Sequence, residues 1–248
     1  MATTNQIQAK FDQIASQYRA KYEHPTSIFG FEKRRRMEIL VNYLQILKPQ
    51  SALDLGCGPG VVLSVARRSL PNSKLVGVDI SNPMLQRARA NNPNGFLFVQ
   101  SQAEQLPFAD NSFDLIYALG VIDYLEKPWQ FFKTVQRVLK PRGYFVFTYP
   151  NADSANRTLC TSLRTRFLQL SRLSTSVSAL PIRGATIDSL ISDCGFEPIQ
   201  RHFMTYGNGL VSLPWSVLLN RKFEQWFNKI PMSRFLAWSC LCVVRKGT

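Results

Sequence analysis

Asp54-Leu55-Gly56-Cys57-Gly58-Pro59-Gly60 sets three glycines at alternate positions between a short apolar run and a helical pattern. Without a Cβ, the backbone there turns sharply and comes within contact distance of a ligand. A tight turn with no ligand would use the same residues, so a second feature must decide. Asp79 supplies it: it ends the next apolar run, 25 positions after Asp54. An open α/β sheet places there a carboxylate that accepts hydrogen bonds from a ribose. Strand ends on one edge of such a sheet share one crevice, so the loop and Asp79 face the same molecule, one of adenosine type. Val61 stands where a dinucleotide fingerprint has its last glycine, and no Gly-Lys-Ser/Thr follows, which argues against a dinucleotide and removes a P-loop triphosphate site.

These residues need a layered scaffold. From Ser51 to Pro150 strand-like runs alternate with helical patterns, the signature of βαβ units and a parallel sheet. Strands are expected at Ser51 to Leu55, Lys74 to Asp79, Phe96 to Gln100, Phe113 to Leu119 and Gly143 to Tyr149. Helices are expected at Val61 to Leu70, Asn82 to Asn91 and Trp129 to Leu139, the last stopped by Pro141 and Gly143. Ahead of this core, Ile7 to Leu47 reads as helical with a turn at His24 and Pro25. Behind it, Ala155 to Leu173 and Gly184 to Cys194 read as helices, and Phe196 to Tyr206 and Leu236 to Arg245 as strands.

Composition narrows the class. The chain has 248 residues, 45% of them hydrophobic, with 5 Cys, which fits one globular domain and excludes disorder, collagen and a disulfide scaffold. The cysteines are scattered and only two histidines occur, so no metal site is expected. Apolar runs fall short of the ~20 residues a spanning helix needs, and Met1 to Lys10 lacks a signal-peptide pattern, so the cytoplasm is the expected compartment. The net charge of +14 should attract anions such as RNA, acidic lipid headgroups or phosphorylated metabolites. It divides as +4 over residues 1–50, +3 over 51–150 and +7 over 151–248.

Residues 7–149 resemble a class I S-adenosylmethionine-dependent methyltransferase of the small-molecule group that includes the quinone-biosynthesis enzymes. The matching motifs run in order: Phe11 to Tyr18, Leu53 to Gly60, Val76 to Ser81 with Met84, Ala103 to Phe108, Ser112 to Ile116 and Arg137 to Pro141. The resemblance implies a Rossmann-like seven-stranded methyltransferase sheet with helices on both faces, the last strand antiparallel, and a helical amino-terminal cap. One domain would span 1–248, with the cap at 1–48, the cofactor-binding core at 51–150, and substrate-side insertions at 151–183 and 207–235. It also implies S-adenosyl-L-methionine as cofactor and S-adenosyl-L-homocysteine as product. Gly56, Cys57, Gly58 and Gly60 would approach the methionine part, Asp54 orient it and Tyr18 close over its carboxylate. Asp79 would hold the ribose, Ile80 pack on adenine, and Gln102 and Ala103 meet the adenine edge. Met84, Glu104 and Leu119 complete that set. Family members commonly carry Asp where Gln102 stands; the uncharged amide can still accept through its carbonyl, so altered adenine contact is expected.

Methyl transfer from a sulfonium needs proximity and alignment more than acid-base help, and a base only where the acceptor must lose a proton. Relatives often carry a His pair where this chain has Asp123 and Tyr124. Asp123 is a candidate base and Tyr124 a candidate for orienting the acceptor; a helix cap by Asp123 beside a packed Tyr124 is the plainer alternative. His24 is a further base candidate, and His202 a weaker one. No Asn/Asp-Pro-Pro-Tyr/Phe sequence follows the fourth strand, which counts against methylation of nucleobase or glutamine amino groups. Residues 207–235 interleave Leu213, Trp215, Trp226 and Phe227 with Arg221, Lys222 and Lys229. Such a stretch fits a membrane surface, a lid over a lipophilic pocket, or added core. The expected acceptor is a lipophilic or anionic small molecule, methylated at oxygen ahead of carbon, with peripheral membrane contact through 207–235. An RNA methyltransferase is the disfavoured alternative, and a cofactor-binding protein without transfer activity the third.

Overall fold

A computed structural model describes residues 3–18, 28–92, 95–155, 180–206, 222, 224, 226 and 231–248. Seven strands form one sheet: β1 (Ser51–Leu55), β2 (Lys74–Asp79), β3 (Phe96–Gln100), β4 (Phe113–Ala118), β5 (Leu139–Pro150), β6 (Phe196–Met204) and β7 (Ser239–Lys246). Their order is β3-β2-β1-β4-β5-β7-β6, with β7 antiparallel to both neighbours and the first five parallel to one another. The strand order reverses between β1 and β4, where an open α/β sheet leaves a crevice beyond its carboxyl ends.

Six helices lie among the described residues: α1 (Thr4–Ile14), α2 (Ile28–Leu47), α3 (Val61–Ser69), α4 (Asn82–Asn91), α5 (Pro128–Val138) and α6 (Gly184–Asp193). They cover both faces, and the central strands β1 and β4 are accordingly buried except at Asp114. Alternation along β5 shows the division. Phe145 and Phe147 pack with Phe131, Phe132, Ile187 and Ile191 of α5 and α6, whereas Val146 packs with Leu40, Leu63 and Leu85 of α2, α3 and α4. The predicted mixed sheet with helices on both faces and an antiparallel last strand is thus the observed one.

β5 departs from expectation at its start. The ladder begins at Leu139, breaks between the pairs Phe113–Leu139 and Leu115–Tyr144, and resumes, so Pro141 and Gly143 sit in a bulge rather than in a helix-to-strand loop. Arg142 at φ +62° turns the chain outward there. The helix read in Ala155 to Leu173 and the turn at His24 lie outside the described residues.

Two polar ties fasten α1 to the sheet edge. Ser81, the N-cap of α4, accepts from the Met84 N–H and donates to Asp12 Oδ1 at 2.5 Å. The Thr4 N–H donates to Glu126 Oε1, and the Thr4 hydroxyl donates to the same oxygen at 3.3 Å. Among the described residues, no helix is long and apolar enough to cross a membrane.

Candidate active site

The glycine turn leaves β1 and doubles back over the end of β2. The Gly56 and Cys57 N–H groups donate to the Val78 carbonyl at 2.8 and 2.9 Å. Gly56 has φ +69°, and a Cβ there would stand 2.5 Å from Val121 Cγ2, so conformation and space both exclude a side chain. At Gly60 a Cβ would stand 2.6 Å from Asn92 Nδ2, which shows that this glycine lets α4 approach the loop.

Asp79 is buried and closes the turn. Its Oδ2 accepts from the Gly58 N–H at 2.8 Å and its Oδ1 from the Ser81 N–H at 2.9 Å. A carboxylate offers about four acceptor positions, so capacity for a ribose hydroxyl remains. Burial pushes the Asp79 carboxyl up, and backbone N–H groups of Ser81, Gly58 and Ile80 offset part of that. Asp54 is 3% exposed and its Oδ2 has no hydrogen-bond partner. Burial drives its carboxyl well above the usual range, the Asp79 charge adds to this, and the nearby Tyr117 hydroxyl opposes it. Of the two, only Asp79 lines the cavity over the turn, where its spare acceptor sites fit a guest that brings hydroxyl groups.

A cavity of about 800 Å³, counting its open mouth, lies over the turn. One wall comes from the strand ends: Gly56, Gly58, Asp79, Ile80, Met84, Ala103, Glu104 and Leu119, all named as cofactor contacts from the sequence. A second wall, adjoining the first, comes from Ile7, Phe11 and Tyr18 with Val121, Tyr124 and Leu125. Tyr18 stands over the loop, its ring 3.7 Å from where a Gly58 Cβ would be. Phe11 meets Tyr18 edge-on at 6.2 Å and Tyr124 at 5.2 Å between centroids. Burial raises the Tyr18 hydroxyl to about 12, with the Asp79 charge next in effect, so it is a neutral donor at pH 7. Burial, then the Asp123 charge, also raises Tyr124. Neither phenol serves as a base at neutral pH.

Other candidates lie elsewhere. Asp54, Cys57 and Gly60 do not line the cavity; the Cys57 side chain joins the core under α3, and burial pushes its thiol well up. Gln102 is exposed and also off the cavity, while its neighbours Ser101 and Ala103 line it. Asp123 lies inside a 3₁₀ turn (Ile122–Tyr124) whose N-cap position is Val121, and only Tyr124 of the pair lines the cavity. His24 falls outside the described residues. His202 on β6 is half-buried and pairs with the Tyr43 hydroxyl at 2.9 Å, an inter-element contact rather than a cavity residue. Cys240 and Cys242 pack in the core. Among the described residues, no cluster could hold a metal. Sequence reasoning did not name Thr4, Ile7, Ser101, Gly120 or Val121 as lining. Ile7, Phe11 and Tyr18 recur at helical spacing, a signal that could have exposed that wall.

Residues 53–147 match the model of a methyltransferase domain. This chain carries a methyltransferase domain. The class uses S-adenosylmethionine, and the acidic, glycine-lined wall fits that cofactor. The chain is 30% identical over 158 residues to malonyl-[acyl-carrier protein] O-methyltransferase of Legionella pneumophila, covering 62% of this chain and 53% of the relative. It is 27% identical over 223 residues to demethylmenaquinone methyltransferase of Bacteroides fragilis, covering 82% and 89%. The matched region thus spans about half the length of the first relative. Magnesium protoporphyrin IX methyltransferase from Synechocystis, solved with bound S-adenosylhomocysteine, superposes with TM-score 0.72 over 99% of this chain and 100% of that one at 12% identity. That likeness concerns the fold.

Proposed function

We propose that the methyltransferase domain transfers a methyl group from S-adenosylmethionine to an oxygen of a lipophilic or aromatic small molecule. The observation that carries this reading is the two-walled cavity: acids and glycines on the strand-end wall, aromatic and aliphatic groups on the wall beside it. The cofactor supplies an activated methyl and a thioether leaving group; as the sulfur–carbon bond breaks, its electron pair stays on sulfur and the oxygen–carbon bond forms.

The residues of this chain then have positioning tasks. Asp79 holds the ribose through its spare acceptor sites, Ile80 and Met84 pack on the adenine side with Ala103 and Glu104, and Tyr18 closes over the methionine carboxylate. Phe11 and Tyr124 seat the acceptor against the cofactor, and the raised Tyr124 hydroxyl donates a hydrogen bond to it. Without a base among Tyr18 and Tyr124, an acceptor carboxylic acid suits the site best, since at neutral pH its proton is already in solvent before transfer. Carbon methylation of an electron-rich ring is the close second form and uses the same walls.

Two sequence features join this proposal. The cap at 1–48 and the insertions at 151–183 and 207–235 would belong with the core to one domain. Peripheral membrane contact through 207–235 is supported by Trp226, 61% exposed, and by Phe235, 39% exposed beneath the Arg234 guanidinium.

Labelled S-adenosylmethionine, incubated with the protein and a cell lysate that is then fractionated, tests the reading. Label in the organic-extractable fraction is expected. Label in nucleic acid would establish the RNA reading, and cofactor binding with no labelled fraction would leave a binding protein without transfer activity.

A further inference from the structure

The turn after β3 is fastened at several points to the wall it belongs to. The Ser101 N–H donates to the Asp79 carbonyl at 3.1 Å, so the turn starts from the residue whose carboxylate holds the ribose under the proposed function. The Gln105 N–H closes onto the Gln102 carbonyl at 3.1 Å, and the Ser101 hydroxyl donates to the Gln105 carbonyl at 2.5 Å. From behind, the Thr134 hydroxyl on α5 donates to the Glu104 carbonyl at 2.8 Å, Arg137 Nη2 donates to the Leu106 carbonyl at 2.9 Å, and the Leu106 side chain is buried in the core. These ties sort the side chains of the turn. Gln102 is exposed and off the cavity, whereas Glu104 is half-buried and lines it. Among the described residues, no side chain donates a hydrogen bond to the Glu104 carboxyl, which meets its own N–H; Glu126 and Lys127 are the charged groups that act on it, and Glu126 is engaged with Thr4.

The edge of adenine away from its sugar carries an amino group that donates and a ring nitrogen that accepts, so a wall that reads adenine must supply an acceptor. Ser101 and Glu104 are the polar side chains of this turn on the cavity, and Ser101 spends its proton inside the turn. We infer that Glu104, and not Gln102, takes up the amino group of the cofactor's adenine and makes the site selective for that base. One carboxyl oxygen accepts in either protonation state. An analogue without the amino group leaves this half-buried acceptor unpaired, which is how a site built to bond a donor rejects the ligand that lacks it. The inference rests on the proposed function for the cofactor's place on the wall and deepens it by giving the base-selective contact to one side chain and denying it to its neighbour.

The probes are S-adenosylhomocysteine and its analogue in which hydrogen replaces the adenine amino group, so that the ring nitrogens keep their acceptor roles. Each is titrated calorimetrically into the full chain. S-adenosylhomocysteine should bind at least about tenfold more tightly than the analogue. In Glu104→Met, and in the shorter Glu104→Ala, that preference should fall below about threefold, because S-adenosylhomocysteine weakens while the analogue does not. In Gln102→Met the preference should persist. A turn that is merely disturbed would weaken both ligands alike and keep their ratio. Equal affinities in the unmodified protein, a preference that survives both Glu104 variants, or a preference lost in Gln102→Met would overturn the assignment while leaving S-adenosylhomocysteine bound. Failure of S-adenosylhomocysteine to bind the unmodified protein would overturn the cofactor reading itself, and the assignment with it.

Discussion

The two walls of the cavity are built by different means. The strand-end wall is positioned by backbone: Gly56 and Cys57 hang from Val78, Gly58 from Asp79, and Asp79 itself ends a fully paired parallel strand. The wall beside it is positioned by side chains of α1, the turn after it, α2 and a single 3₁₀ turn, joined through ring edges and polar ties to Ser81 and Glu126. A backbone-fixed wall suits a guest that never changes, and a side-chain wall lets acceptor choice vary without disturbing cofactor binding.

Changes on the two walls should therefore separate. Asp79→Ala removes the ribose acceptor and the tie to Gly58 together, and calorimetry should show S-adenosylhomocysteine affinity falling at least about a hundredfold, near 3 kcal/mol. An unchanged affinity would remove Asp79 from the cofactor site. Gly56→Ala should lower unfolding stability by about 2–3 kcal/mol, because its Cβ meets Val121 Cγ2 and φ is +69°. Val121→Ala in the same chain should recover part of that loss but not the share due to the backbone angle. A double-mutant cycle in denaturant measures both.

Asp54→Asn should act in opposite directions on stability and binding. Burial raises the Asp54 carboxyl in the folded state, so the fold favours the protonated form. Stability therefore falls as pH rises from the ordinary value near 4 through the raised folded value. The Asn variant should flatten that fall, raise the thermal midpoint at pH 8 by roughly 2–6 °C, and weaken S-adenosylhomocysteine binding about tenfold. An unchanged pH profile would show that another group carries the dependence. On the second wall, Tyr124→Phe should slow labelled methyl transfer by about tenfold or less, one hydrogen bond's worth, with cofactor affinity within twofold. A cofactor affinity that falls as far as the rate would erase the distinction between the walls.

What the sequence reveals follows the same division. β1, β2 and β3 begin and end where the apolar runs and their turns predict; for β1 and most of β2 the cause is burial on both faces, which leaves an uninterrupted apolar record, while the edge strand β3 is marked by its β-branched and aromatic residues. The glycines and Asp79 stand at fixed places on those strands. β5 is less legible, since Pro141 and Gly143 carry a breaker's signature while Arg142, an ordinary residue at φ +62°, makes the bulge that lets pairing resume. Asp123 and Tyr124 are indistinguishable in sequence as site candidates. A 3₁₀ turn rotates successive residues by about 120°, so the two side chains point apart and only Tyr124 lines the cavity. The cation on a ring of the second wall is hidden for a different reason: Lys33 is one member of the basic run Lys33 to Arg36, and only the docking of α2 beside the turn after α1 sets it over Tyr18.

Hydrogen exchange with and without S-adenosylhomocysteine tests the placement of the cofactor most directly, because it reads both walls in one experiment. Amides in 53–60, 79–85 and 101–104 should slow strongly, with smaller slowing around Tyr18 and none in α6 or β6. Protection absent from 53–60, or centred on 184–204, would contradict it.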